Sequence, residues 1–507
     1  MHFIQINLSI NLEFIPNNLE ISAYFSIQIA FFLDSSSQFL YDYPSGIQPK
    51  YTPGTFAATI EEVFMSQQKL SPSKMLILGF QHVFAMFGAT VLVPTLTGLS
   101  VSVTLLFAGL GTLLFHLITG KKIPAFLGSS FAFLGGYAAV HALVDSRAAE
   151  LGTTLNWIPY AGVGVLCAGL IYVLISALFR SFGASKVMRF FPPVVTGPII
   201  ICIGITLASS AVNNCAANWF IAIIAVAVVV IFNIWGKGML KIIPILLGVI
   251  VSYVVAAVMG LVDLTPVKEA AWIGIPIKFD ETVFSLFGHA DGALILSSLI
   301  AMVPISLATI VEHIGDMCAI SSTVGQNFIA DPGLHRSLMG DGLATSLASL
   351  FGAPANTTYG ENTGVLALTG VYDPRVVRIA AIIAAVFSFS PKFAALIYCM
   401  PTATIGGVSL ILYGMISAVG VRNVVENHVD FTKSRNVIIA ALIMSLALGI
   451  NFSAAGAIAF SIGSVTISLS GLAVAALIGI LLNAVLPGND YQFGVDQQGD
   501  TSVNFKV

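Results

Sequence analysis

Apolar segments begin near Lys74 and repeat to about Leu486, separated by short polar connections. The division runs 75–96, 101–119, 125–143, 159–179, 192–212, 219–235, 241–261, 292–315, 338–351, 358–371, 376–395, 401–419, 436–452 and 467–486, fourteen segments in all. Phe190 to Gly236 contains no Asp, Glu, Lys or Arg, and neither does Gly292 to Val311. Runs of this kind are what a bilayer core about 30 Å thick selects. The ninth and tenth segments are short for that thickness, and the division between Gly456 and Ala473 is the least sharply marked.

Two segments mix Gly, Pro and hydroxyl residues where a continuous helix belongs. One is Ile123-Pro124-Ala125-Phe126-Leu127-Gly128-Ser129-Ser130-Phe131-Ala132-Phe133. The other is Phe351-Gly352-Ala353-Pro354-Ala355-Asn356-Thr357-Thr358-Tyr359-Gly360-Glu361-Asn362-Thr363-Gly364. The composition predicts extended backbone followed by a half-helix. Such backbone is tolerated at membrane depth only where protein or a cavity satisfies it. The N-terminus of a half-helix favours partial negative charge on a ligand.

The segment openings echo each other. Pro192-Pro193-Val194-Val195-Thr196-Gly197 starts the fifth segment, and Pro401-Thr402-Ala403-Thr404-Ile405-Gly406-Gly407 starts the twelfth. Proline costs little at a helix start, where its missing N–H would be unpaired anyway. Seven segments is an odd unit, so two such halves lie in opposite orientations. Inverted repeats of this kind recur in secondary transporters.

Composition sharpens the class. Hydrophobic residues make up 57% of the 507 and charged residues 9%, far from the roughly one-quarter charged content of soluble chains. The net charge of -3 comes without the basic patch that nucleic acid needs. Cys167, Cys202, Cys215, Cys318 and Cys399 have no metal-ligand spacing and read as small buried hydrophobes. No cofactor is expected, and no nucleophile–base pair suggests an enzyme. Lys121, Lys122, Arg180, Lys186, Arg189, Lys237, Lys241, Arg336, Arg375, Arg378, Arg422, Lys433 and Arg435 fall at alternate connections, which predicts that those connections and both termini are cytoplasmic. Arg147, Lys268, Lys278 and Lys392 break the bias. Residues 1–70 form a tail to which no function is assigned, with a turn at Asp42–Gly46 and an amphipathic stretch from Glu61.

The candidate chemistry lies in a few acids. Glu312 stands inside the eighth segment, Asp316 lies one helical turn further on the same face, and Glu361 lies in the second broken segment. Ionisable groups in a membrane span mark substrate or ion pathways by default. Three acids near one another repel unless one holds a proton, which couples proton uptake to binding. His313 points about 100 degrees away from Glu312 and reads as a packing residue. His82 reads either as a hydrogen-bonded bundle residue or as support for Glu312 or Glu361.

These residues resemble a known family. Gln81-His82-Val83-Phe84-Ala85-Met86-Phe87-Gly88-Ala89-Thr90-Val91-Leu92-Val93-Pro94 is similar to the first helix of the nucleobase–ascorbate transporter family, in its bacterial uracil permease branch. Pro124–Phe133, Asn356–Gly364, Asp331–Ser337 and Gly406–Leu410 fit the same branch, and the likeness spans about Ser71 to Leu486. The resemblance implies an all-α membrane protein with 14 transmembrane segments in a 7+7 inverted repeat, and short strands in segments 3 and 10. The repeats would be 71–262 and 292–486, joined by an extracellular connection at 263–291 and followed by a cytoplasmic tail at 487–507. Segments 1–4 and 8–11 would form a core domain, and 5–7 with 12–14 a gate domain.

The resemblance further implies uptake of uracil, or of xanthine or another base, in symport with a proton. Glu312 and Glu361 would be the binding carboxylates. Phe131 and Gly360 would lend backbone N–H groups, and Tyr359 and Ala89 would line the site. Asp316 stands where the best-known member has histidine, and it would share proton coupling with Glu312 and His82. Homodimers through the gate domains are also implied. An uncoupled facilitator and an anion exchanger of the same architecture are the rival readings. Lipid is the surrounding partner.

Overall fold

The computed structural model describes residues 71–463, 465–489 and 491, so the readings made for residues 1–70 and for most of the C-terminal tail lie outside the described residues. The first half contains helices α1 (Pro72–Thr97) and α2 (Val101–Ile118), strand β1 (Leu127–Ser129), then α3 (Leu134–Leu151), α4 (Trp157–Phe182), α5 (Pro193–Ala216), α6 (Trp219–Trp235) and α7 (Pro244–Val258). The second contains α8 (Gly292–Met302), α9 (Ile305–Val324), α10 (Leu334–Leu350), strand β2 (Asn356–Thr358), α11 (Gly360–Thr369), α12 (Pro374–Phe387), α13 (Pro391–Tyr398), α14 (Thr402–Glu426) and α15 (Ser434–Asn451). Strands β3 (Ala457–Ile462) and β4 (Val465–Ser470) and helix α16 (Gly471–Val485) complete it.

Among the described residues, seven helical runs are long and apolar enough to cross a membrane, or eight when the pair α12 and α13, bent by 88°, counts as one span. Helices α8 and α9 form one 33-residue apolar run, interrupted at Val303 and Pro304. Helix α9 thus extends past the predicted end at residue 315, to Val324.

Helix ends follow local chemistry. Ser71 caps α1 by accepting from the Lys74 N–H, with Pro72 at the first position. Asn156, Asn218 and Asp373 accept from first-turn N–H groups of α4, α6 and α12. Each satisfies a donor that the helix itself leaves open.

Both broken segments contain the expected extended backbone. Strands β1 and β2 pair antiparallel, with Leu127 opposite Thr358, Gly128 opposite Thr357 and Ser129 opposite Asn356. The ladder is lengthened by Ser130 N–H donating to Ala355 O (2.8 Å) and Tyr359 N–H donating to Phe126 O (3.0 Å). Two outer edges remain, and threonines from neighbouring helices satisfy them. Leu127 N–H donates to Thr112 Oγ1 of α2 at 2.9 Å, and that hydroxyl donates to Leu127 O at 3.2 Å. On the other strand, Asn356 N–H donates to Thr345 Oγ1 of α10 at 3.2 Å, and that hydroxyl donates to Asn356 O at 3.1 Å. An open sheet edge without such partners would not persist away from water.

Glycines set the close helix packing. A Cβ at Gly420 of α14 would sit 2.8 Å from the Gly197 carbonyl oxygen of α5, and one at Gly204 would meet Tyr413 and Ser417. Gly406 lies against Ala211, Asn214 and Cys215. Early residues of α5 therefore meet late residues of α14, and the two helices run antiparallel. A Cβ at Gly342 of α10 would sit 2.6 Å from the Gly169 carbonyl oxygen of α4. Small residues permit this approach, which gives packing in lipid where the hydrophobic effect does not.

The segment predicted for 467–486 is divided differently. Strands β3 and β4 pair as a hairpin with Ile462 opposite Val465, and α16 starts only at Gly471. Alternation of apolar and hydroxyl residues from Val465 to Ser470 is a strand period, and it overrides the apolar average that reads as helix.

Candidate functional site

The strand pair and the break at Pro304 deliver the acids to one region. Glu312 and Asp316 lie one turn apart on α9, each partly exposed. Glu361 stands in the first turn of α11, immediately after β2, and is also partly exposed. Glu312 is within electrostatic reach of Asp316, Asp341 and Glu361. One carboxylate oxygen of Glu312, Oε2, is buried without a hydrogen-bond partner. Asp316 is fastened to the strand pair, because Thr358 Oγ1 donates to its Oδ2 at 2.6 Å.

Open space borders these acids. A Cβ at Gly360 or Gly364 would meet nothing within 4 Å, and one at Gly315 would meet only Ile200 Cδ1 at 4.0 Å. Gly360 is the first residue of α11, whose N-cap Tyr359 supplies no side-chain acceptor. The other half-helix begins at Phe131 in a short 3-10 turn, and Ser130 gives it no side-chain cap either. At neither start does the N-cap side chain accept from a first-turn N–H. Ser130 Oγ and Thr357 Oγ1 are buried without partners. Acceptors on carboxylates and donors on half-helix backbones are the set needed to hold a planar polar ring by its edge.

The apolar wall is shared. Ala89, Phe131 and Tyr359 belong to one buried cluster. Phe131 meets the ring of Tyr413 on α14 edge to face, with centroids 5.6 Å apart. Tyr359 is held by its hydroxyl, which donates to Ser129 O at 2.9 Å, and its ring fills the place of a Gly128 side chain.

His82 is buried on α1 and is bound to Asn362, whose Nδ2 lies 3.0 Å from His82 Nδ1 and 3.1 Å from His82 O. Its hydrogen bonds thus go to the residue after Glu361. His313 faces away from Glu312, as its spacing predicts. Its Nδ1 is 2.8 Å from Asp341 Oδ2 and its Nε2 is 3.0 Å from Ser337 Oγ, all fully buried. Phe115 and Tyr172 flank the imidazole edge to face.

Sequence reasoning passed over Asp341, Thr112 and Thr345. Asp341 carries the signal that singled out Glu312, an acid inside an apolar segment. The two threonines carry no signal along the chain, since their role exists only once the strands pair. Among the described residues no group of three or more His, Cys, Asp or Glu could hold a metal ion, and all five cysteines are free.

Comparison with known proteins follows the same lines. Residues 73–456 match the family model described as the Permease family. The chain is 40% identical over 445 residues to a uracil permease of Bacillus subtilis (strain 168), covering 85% of this chain and 96% of that one. It is 39% identical over 431 residues to a uracil permease of Bacillus caldolyticus, covering 83% and 94%. Among solved structures, the transmembrane domain of a cyanobacterium bicarbonate transporter, BicA, superimposes with a TM-score of 0.56 at 15% identity, covering 81% of this chain and 96% of that one. That likeness concerns the fold alone.

Proposed function

Because the chain belongs to the nucleobase–ascorbate transporter family, in its uracil permease branch, we propose that it takes uracil across the cell membrane in symport with a proton. It is a multi-pass membrane permease, not an enzyme. The observation that carries the reading is the convergence of Glu312, Asp316 and Glu361 beside the open start of α11.

Uracil presents two N–H donors and two carbonyl acceptors around a flat ring. Glu312 and Glu361 accept from the N–H groups. Backbone N–H groups at Phe131 and Gly360 donate to the carbonyls, and Ala89 and Tyr359 close the apolar side. A site built to hydrogen-bond such groups rejects analogues that leave its polar atoms unpaired. A base with the same edge, such as xanthine, is the alternative cargo.

Asp316 and Glu312 carry the coupling. A proton on one of the acids removes the repulsion among them, so base and proton bind together. His82 acts through Asn362, which follows Glu361. Movement of the core domain, segments 1–4 and 8–11, against the gate domain, segments 5–7 and 12–14, then exposes the site to the other side. The fourteen-segment 7+7 repeat is supported by the matched threonine brackets on β1 and β2 and by the antiparallel packing of α5 on α14. A two-fold axis in the membrane plane makes equivalent elements antiparallel. Both termini belong on the cytoplasmic side, and gate-domain faces form a homodimer.

An anion exchanger would place a basic group at the half-helix starts, where this chain has carboxylates. An uncoupled facilitator would be indifferent to a proton gradient. Radiolabelled uracil uptake into proteoliposomes, with and without an inward proton gradient, tests both points. Glu312→Gln is expected to weaken binding about tenfold to a hundredfold, the worth of a hydrogen bond to a charged group. Asp316→Asn keeps uracil binding and loses stimulation by the gradient. Normal uptake by the Glu312 variant would remove it from the site, and gradient-independent uptake by the wild type would remove the coupling.

A further inference from the structure

A cavity that none of these acids lines lies beside the end of α16. It has a volume of about 460 Å³ and is lined by Lys186, Arg189 and Phe190 on one side and by Val485, Leu486 and Asn489 on the other. The first group belongs to the connection between α4 and α5, and the second to the end of α16. The charge pattern marks this connection as one of the basic, interfacial ones, with Arg180, Lys186 and Arg189 close together.

The walls are preformed. Asn483 Nδ2 donates to Arg189 O at 2.9 Å and to Phe190 O at 3.4 Å, and Asn489 Nδ2 donates to Arg189 O at 3.4 Å. These bonds fix the basic connection to the end of α16. Among the described residues, neither Lys186 nor Arg189 forms an ion pair. Phe190 and Val485 are 48% and 70% exposed, an apolar surface directly beside the two cations.

We propose that this cavity binds an anionic phosphate group through Lys186 and Arg189. A phospholipid headgroup and a free phosphate ester share that chemistry. The apolar wall of Phe190 and Val485 favours the lipid, whose chains continue along it. Basic pockets between helices at the membrane interface take such headgroups. The site is separate from the proposed uracil site and does not depend on that reading.

Native mass spectrometry of the purified full chain tests it, with phosphatidylglycerol, phosphatidylcholine and inorganic phosphate as probes. The wild type is expected to retain phosphatidylglycerol over phosphatidylcholine. Lys186→Gln combined with Arg189→Gln should weaken phosphatidylglycerol binding about thirtyfold, the combined worth of two cations near an anionic group. Lys186→Arg with Arg189→Lys keeps it, which separates charge from folding. Lys237→Gln, at another exposed cation, leaves it unchanged. Displacement of phosphatidylglycerol by millimolar phosphate supports the phosphate site with a soluble ester as occupant, and failure to displace it supports the lipid. Equal retention by wild type and double glutamine variant, or equal loss in Lys237→Gln, overturns the proposal.

Discussion

Thr358 of β2 donates a 2.6 Å hydrogen bond to Asp316 of α9, so the acid proposed to carry coupling is held by the strand that precedes the second half-helix. Whatever changes at Asp316 is felt by the backbone leading to Gly360 and Glu361. Thr358→Val keeps the shape and removes the donor, leaving a partly buried acceptor short of a partner at a cost of about 1 kcal/mol. Stimulation of uracil uptake by an inward proton gradient is expected to fall about tenfold, and Thr358→Ser should restore most of it. Gradient stimulation equal to wild type in the valine variant would show that this bond has no part in coupling.

Gly128 is where β1 makes room for Tyr359. A Cβ there would lie 2.5 Å from two ring carbons and 2.8 Å from Thr90 Oγ1. Gly128→Ala must displace the ring or the strand, at about 1–3 kcal/mol. Thermal unfolding should begin earlier and uracil uptake should drop. Gly414→Ala on α14, where an added Cβ meets nothing within 4 Å, is the matched control and should leave both unchanged. An alanine at 128 with wild-type melting and uptake would mean that the Tyr359 ring is not confined by β1.

The buried pair His313–Asp341 links α9 to α10. Asp341→Leu leaves Nδ1 of the buried imidazole without its partner while Nε2 keeps Ser337, which costs about 1–3 kcal/mol. Replacing both partners with leucine is expected to recover much of that loss, since no buried polar group then lacks a partner. Melting curves of the two single variants and the double variant give the sign. A double variant less stable than Asp341→Leu would rule out the pairing as the source of the loss.

Much of this architecture is legible along the chain because the bilayer imposes long apolar runs and punishes isolated charge. Glu312, Asp316 and Glu361 stand out for that reason, and the glycines and prolines near Phe131 and Tyr359 mark the breaks. The hairpin β3–β4 does not stand out, because a hydropathy average hides its two-residue period. The brackets by Thr112 and Thr345 are invisible for another reason. A threonine in an apolar helix is unremarkable until a strand end from elsewhere in the chain needs both its donor and its acceptor. Asp341 shows the limit of attention to one segment at a time, since its partner His313 lies in a different helix.

Asp291 offers a pH-dependent test at the membrane edge. Its carboxylate accepts from Arg147 Nε at 2.9 Å and, as the N-cap of α8, from Ala293 N–H at 2.9 Å. The Arg147 guanidinium holds the carboxyl below its ordinary range, with help from the cap N–H groups and against partial burial. A carboxyl lowered in the folded state stabilises it above the unfolded pKa, and that contribution disappears as pH falls through the folded value. Asp291→Asn keeps a capping acceptor and removes the charge. The variant should therefore melt slightly earlier than wild type above about pH 5, by the equivalent of about 1 kcal/mol or less, because the pair is partly exposed and screened. Below about pH 4 the two curves should converge, as the wild-type carboxyl takes up its proton. High salt should narrow the neutral-pH gap by screening the ion pair. A difference that stays constant from acid to neutral pH would assign the role of Asp291 to the cap alone, with nothing from Arg147.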